Sequence, residues 1–105
     1  MFAVIYRGFI LPDYEKQYRE AWHQIATYFV KKCGALGSAL HQTHEGEWLA
    51  YSRWPDQETR DKFWVDQQDL PAEIKISIQN LKKCFDSTRS SEEISMTVIE
   101  DLLTP

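Results

Sequence analysis

The sequence predicts an α+β domain in which an antiparallel sheet carries helices on one face. Three observations support this fold class. Runs of β-branched and aromatic residues mark four strands, apolar side chains recur at helical spacing between them, and Pro and Gly residues separate the segments. A length of 105 residues suits a single domain, so we expect residues 1–105 to share one core.

The first half of the chain predicts a strand, a long helix and a hairpin. Residues 2–11 are rich in β-branched and aromatic side chains, which favours a first strand. From Tyr14 the apolar side chains fall at steps of three and four, which predicts a helix that ends before Gly34. Residues 36–43 and 47–54 are strand-like runs joined by a short loop that contains a glycine, so they predict a hairpin.

The second half predicts two helices and a final strand. Asp56 is a suitable N-cap for a second helix, and residues 72–86 carry one apolar stripe at helical spacing, which predicts a third. Residues 92–103 begin with an alternation of apolar and polar side chains, which predicts the last strand. The order is βαββα(α)β, the order of a ferredoxin-like antiparallel sheet with its helices on one face.

The predicted sheet has a second face that the helices do not cover. The first, third and last strands carry bulky apolar residues in both alternation phases, so both faces are expected to be buried. A homodimer joined through the sheet face would bury the second one. Arg7 and Arg53 lie mid-strand, and we expect them to pair with Asp or Glu across this interface.

Composition and charge exclude several classes of partner. The net charge is −4, which argues against nucleic acid, and no apolar run reaches the roughly 18 residues that a membrane span needs. The N-terminal residues do not form a signal sequence, so we expect a cytoplasmic protein without a membrane partner. Cys33 and Cys84 show neither disulfide nor zinc spacing and are expected to be thiols near helix ends.

Aromatic residues are numerous for so small a core. Five Phe, five Tyr and four Trp residues favour a flat, aromatic-lined space for a small apolar or aromatic molecule.

Three segments resemble the antibiotic biosynthesis monooxygenase family of dimeric α+β barrels. Residues 8–13 (GFILPD) resemble its strand-to-helix junction, and residues 34–41 (GALGSALH) resemble its Gly-rich entry to the second strand. Residues 46–56 (GEWLAYSRWPD) resemble its third strand and the following helix start. The resemblance spans about residues 2–66 and implies a dimeric α+β barrel. The family includes cofactor-independent quinol oxygenases, haem-degrading enzymes and proteins without demonstrated activity.

Haem is not expected as a cofactor. The haem-degrading branch uses an Asn on the first strand, where this chain has Tyr6, and a His after the second helix, where the nearest match is Ala72. In the quinol-oxidising branch the reduced substrate itself activates dioxygen. The resemblance therefore implies a cofactor-independent monooxygenase acting on a small aromatic or quinol-like substrate in a cleft between sheet and helices. The alternative is a non-catalytic dimeric module for ligand binding or assembly.

Two polar residues are candidates for catalysis. Tyr6 matches the family's pocket Asn and could donate a hydrogen bond to a substrate oxygen, although a core tyrosine is an equal alternative. His41 could take a substrate proton. If the hairpin pairs symmetrically, His41 shares its face with the small residues Ala50 and Ser52, and a structural histidine is the competing interpretation.

Three tryptophans are candidates for substrate binding. Trp22 lies on the apolar stripe of the first helix, Trp54 ends the third strand, and Trp64 lies on the second helix, with core packing as the alternative for each. No metal site is expected. His41 and His44 lie beside two glutamates, but residues three apart in a strand point to opposite faces.

Overall fold

The computed structural model describes residues 1–64 and 70–103, and for Trp64 it describes the backbone alone. Four strands form one antiparallel sheet in the order β2-β3-β1-β4, which confirms the predicted ferredoxin-like fold. The elements follow in this order: β1 (Phe2–Gly8), a 3₁₀ turn (Pro12–Tyr14), α1 (Glu15–Lys32), β2 (Gly37–Gln42), β3 (Trp48–Trp54), α2 (Gln57–Trp64), α3 (Ala72–Lys83) and β4 (Glu92–Thr97).

The central strand β1 is hydrogen-bonded to β3 on one side and to β4 on the other. Tyr6 lies opposite both Ala50 of β3 and Glu93 of β4, and Val4 lies opposite Ser52. Directly paired residues in an antiparallel sheet point to the same face. One face, which we call the inner face, therefore carries these side chains, and the outer face carries the alternate ones.

The helices pack on the inner face because their apolar stripes match its apolar side chains. From α1, Ile25 and Phe29 join the main core cluster, together with Ile78 from α3 and Val4 from β1. Phe29 meets Trp54 edge-on, with the ring centroids 5.6 Å apart. Val4 is completely buried. The amphipathic pattern of the sequence thus predicts the correct side of α1 and of α3.

Helix ends follow the predicted capping residues. Gly34, with φ of 84°, takes the left-handed conformation beyond the end of α1. Asp56 caps α2 by accepting a hydrogen bond from the Thr59 backbone N–H at 2.7 Å, and this bond lowers the pKa of the Asp56 carboxyl. Cys33 and Cys84 are buried free thiols at the C-terminal ends of α1 and α3, as expected.

Two predicted boundaries are wrong because distant parts of the chain meet. The first strand ends at Gly8 rather than at residue 11, since Ile10 forms an isolated bridge with Phe85 and Leu11 N–H donates to the Cys84 carbonyl at 2.9 Å. The same contact ends α3 at Lys83 rather than at residue 86. Phe85 therefore belongs to a bridge and not to the helical stripe.

The last strand is also shorter than predicted. It ends at Thr97 rather than at residue 103, because Thr97 lies opposite Phe2, the first residue of β1. Beyond this pair the Val98 N–H donates to the Met1 carbonyl at 3.0 Å, and the chain then leaves the sheet.

The mid-strand arginines have partners within the chain. Arg7 donates to the Glu47 carboxylate at 2.9 Å and lies 3.5 Å from Glu92, while Arg53 pairs with Asp101. These acidic partners belong to the same chain and not, as expected, to a second copy. Within the described residues, no helix is long and apolar enough to cross a membrane.

Gly8 is expected to tolerate a side chain poorly. A Cβ atom there would lie 2.8 Å from Phe85 Cε1 and 3.0 Å from Ser91 Cβ, whereas a Cβ at Gly37 would have no neighbour within 4 Å. We expect Gly8→Ala to lower the free energy of unfolding by about 1–3 kcal/mol through overpacking. Gly37→Ala is the matched control and should leave stability unchanged in urea unfolding. Equal stability of the two variants would contradict the packing at Phe85.

Candidate functional site

A cleft of about 860 Å³ lies between the inner face of the sheet and the helices. Its walls are aromatic and aliphatic, with Trp22, Ile25 and Phe29 from α1 facing Trp54 from β3 and Phe85 from the loop after α3. Volumes of roughly 300–1,000 Å³ are typical of small-molecule sites. The walls suit a flat aromatic body.

Small residues on the sheet leave room for the cleft. Ala50 and Ser52 of β3 and Ser38 of β2 line it where larger side chains would fill it. The Trp54 indole N–H donates to Ser52 Oγ at 3.2 Å, and the Ser38 hydroxyl donates to the Tyr51 carbonyl at 2.9 Å. These bonds satisfy polar groups in an otherwise apolar surface.

Tyr18 of α1 also lines the cleft. Its ring meets Trp48 and Phe85 edge-on, with centroid distances of 5.5 and 5.6 Å. Burial, with a smaller electrostatic contribution from Cys84, raises the pKa of Tyr18 to about 12. The Tyr18 phenol is therefore neutral near pH 7 and is not a base for the cleft.

Tyr6, Arg60 and Glu93 form a polar cluster at one end of the cleft. The Tyr6 hydroxyl donates to Glu93 Oε1 at 3.0 Å, and Arg60 Nη2 donates to the Tyr6 hydroxyl oxygen. Arg60 Nη2 also pairs with Glu93 Oε1, and Arg60 Nη1 donates to Asp61 Oδ1 at 3.0 Å. All three members of the polar cluster line the cleft.

Arg60 is the buried charge of this cluster. The residue is only 6% exposed, and its guanidinium carbon lies 5.8 Å from the centroid of the Tyr6 ring. A buried guanidinium needs carboxylate partners, and here Glu93 and Asp61 supply two. The polar cluster therefore contains one residue from each of three elements, β1, α2 and β4.

The predicted site residues divide into three groups. Tyr6, Trp22 and Trp54 line the cleft. The side chain of Trp64 lies outside the described residues, although its backbone ends α2. His41 is exposed and lies opposite Leu49, on the outer face of the sheet.

The predicted surroundings of His41 are wrong although the hairpin pairs symmetrically, because that pairing places His41 opposite Leu49 and not on the face of Ala50 and Ser52. Ala50 lies opposite Leu40, and Ser52 lies opposite Ser38, so these small residues share the inner face with the cleft. His41 is one position away from that set, and side chains alternate along a strand. His41 therefore lies on the opposite side of the sheet from the cleft.

Arg60 and Glu93 are the functional candidates that sequence reasoning missed. Arg60 precedes Phe63 by three residues, and Phe63 packs against the core, so helical spacing places both on the inward side of α2. That spacing was the available signal for a buried arginine. Glu93 has no comparable local signal, because its role depends on lying opposite Tyr6.

The described part of the chain brings together no group of three His, Cys, Asp or Glu residues able to hold a metal ion. The polar cluster contains one guanidinium, one phenol and a carboxylate from β4, which can bind and orient hydroxyl groups.

Sequence comparison with family models and with curated proteins finds no match. Comparison of the fold finds close similarity to solved structures. A mutant form of SnoaB, a cofactor-independent oxygenase from Streptomyces nogalater, matches with a TM-score of 0.74 at 12% identity, over 98% of this chain and 97% of that one. Rv0793 from Mycobacterium tuberculosis matches with a TM-score of 0.71 at 16% identity, over 96% and 97%.

A third structure, an antibiotic biosynthesis monooxygenase, matches with a TM-score of 0.71 at 14% identity, over 95% of this chain and all of that one. At these identities the similarity shows the fold, and the matches extend over nearly the full length of both chains. The chain therefore has the fold of the antibiotic biosynthesis monooxygenase structures, as its sequence resemblance implied.

Proposed function

We propose that this protein is a cofactor-independent oxygenase that acts on a small aromatic or quinol-like substrate in the cleft. The observation that carries the proposal is the combination of aromatic walls with a buried polar cluster at one end. A planar substrate would place its ring between Trp22 and Trp54 and a hydroxyl group at Tyr6. The similarity in fold to SnoaB, a cofactor-independent oxygenase, also supports this proposal.

In the proposed reaction the substrate supplies the electrons, so the protein itself does not have to supply them. A phenol such as 1-naphthol reacts with dioxygen to give a quinone and water. One oxygen atom enters the ring, the other leaves as water, and the four electrons come from the naphthol. The protein would orient the ring, hold the hydroxyl group and exclude water.

Tyr6 is the proposed contact to the reacting hydroxyl group. Its own hydroxyl is oriented by Glu93 and Arg60, so the phenol oxygen is held at a fixed point of the cleft. A group held in this way positions a substrate proton better than a freely rotating one. His41, on the outer face, has no part in the proposed reaction.

Oxygen uptake with 1-naphthol tests this function. We expect consumption above the protein-free rate and incorporation of one atom from ¹⁸O₂ into the quinone. Tyr6→Phe should lower kcat/KM by roughly 10²-fold, as for loss of a group that handles a proton. Tyr14→Phe is the matched control, since Tyr14 is exposed at the start of α1 and should not affect turnover.

Two results would contradict the proposal. Equal turnover by Tyr6→Phe would remove the assigned role of Tyr6. Recovery of chemically unaltered naphthol after prolonged aerobic incubation would favour the alternative, a module that binds a small aromatic ligand without reaction.

We also propose that two copies associate through the outer face of the sheet. Half-buried apolar side chains there include Ile5, Leu49 and Tyr51, and Ile94 of β4 is exposed beside them. Contiguous apolar surface of this kind is typical of interfaces. Ile99 and Leu102, which follow β4, are also highly exposed apolar residues, at 86% and 98%.

Light scattering at micromolar concentration tests the association. We expect a dimer for the natural sequence and a monomer for Ile5→Glu, because Ile5 lies opposite Tyr51 and Ile94 and a carboxylate there would be buried among apolar side chains. Leu36→Glu is the matched control, since Leu36 is 54% exposed and precedes β2. A monomeric natural protein would contradict the proposed interface.

A further inference from the structure

We propose that Glu93 determines which aromatic ligands the cleft accepts: molecules that carry a neutral hydroxyl group bind, and molecules that carry a carboxylate are rejected. This inference rests on the proposed function in taking the cleft as the ligand site. It does not require that the bound ligand reacts.

The charge of Arg60 is already offset by carboxylates of the chain itself. Arg60 pairs with Glu93 through Nη2 and with Asp61 through Nη1, and only 7% of its side chain is exposed. A ligand carboxylate entering the polar cluster would be a third negative charge beside one guanidinium. Like charges at such short range in a partly buried site repel strongly.

Glu93 is placed to accept a hydrogen bond from a ligand. It lies on the edge strand β4 directly opposite Tyr6, lines the cleft, and has a side chain that is 38% exposed. Its Oε1 accepts from Tyr6 and Arg60, and an ionised carboxylate offers about four lone-pair sites in all. A ligand hydroxyl group could therefore form a charge-assisted bond with it.

The other charges around the cleft do not reverse this preference. Arg7 is paired with Glu47 and Glu92. Lys82 of α3 is exposed, so water and salt screen its attraction for an anion. At the polar cluster itself, the charge that a ligand can reach is therefore the partly exposed carboxylate of Glu93.

Calorimetric titration under nitrogen tests the inference with two probes that share one ring system. At pH 7, 1-naphthol is neutral and 1-naphthoate is negatively charged. We expect naphthol to bind more tightly than naphthoate by on the order of tenfold or more, from one charge-assisted bond gained and one repulsion avoided. Without dioxygen the measurement reports binding alone.

Glu93→Gln should reduce or reverse this ratio. The amide carries no charge, so naphthoate gains access to Arg60 while naphthol loses its ionised acceptor. We expect the naphthol-to-naphthoate ratio of affinities to fall by on the order of tenfold. Glu58→Gln is the matched control, because Glu58 is exposed in the first turn of α2 and should leave the ratio unchanged.

Equal affinity for the two probes, or binding of neither, in the natural protein would overturn the inference. So would an unchanged ratio in a Glu93→Gln variant that unfolds cooperatively. If that variant does not fold, the difference in affinity between the two probes on the natural protein still tests the inference. Selective naphthol binding without oxygen uptake would support the inference and overturn the proposed function. Turnover without selectivity would support the proposed function and overturn the inference.

Discussion

The register of β1 is the constraint on which the rest of the structure depends. This strand is hydrogen-bonded on both sides, so its alignment fixes the faces of β3 and β4 together. With Tyr6 opposite Ala50 and Glu93, an aromatic hydroxyl, a small residue and a carboxylate all face the helices. A shift by one residue would turn Arg7 inward and Tyr6 outward. The cleft and the apolar outer face are therefore consequences of one alignment.

The burial of Arg60 connects this register to the helices. Arg60 reaches from α2 to Tyr6 on β1 and to Glu93 on β4, so the polar cluster forms only when all three elements are in place. Such a cluster adds little to stability, because the loss of hydration of a buried ion pair offsets much of its attraction. We propose that the cluster instead serves to bind a hydroxyl group of a ligand in the cleft. In the proposed function the aromatic walls would supply the affinity for the ligand, and the cluster would supply its orientation.

The elements and their order were predictable because they depend on local patterns. Helical spacing placed Ile25 and Phe29 on the buried side of α1, and Asp56 marked the start of α2. Tyr6, Trp22 and Trp54 followed from these patterns together with the family resemblance, and all three line the cleft.

The wrong element boundaries and the missed site residues arise where distant residues decide the outcome. The bridge between Ile10 and Phe85 ends two elements early, although neither residue shows this in its own surroundings. The error on His41 is of a different kind: the hairpin pairs symmetrically, with the Thr43 N–H donating to the Glu47 carbonyl at 2.8 Å, and this pairing itself places His41 opposite Leu49 and not beside Ala50 and Ser52. Arg60 and Glu93 are far apart in the sequence and meet only in the folded chain.

A crystal structure of the protein grown under nitrogen with 1-naphthol would test the central claim most directly. We expect the naphthol ring between Trp22 and Trp54 and its hydroxyl oxygen within about 2.6–3.2 Å of Glu93 or Tyr6. A ring bound outside the cleft, or a hydroxyl group directed toward Lys82 and away from the polar cluster, would contradict the account.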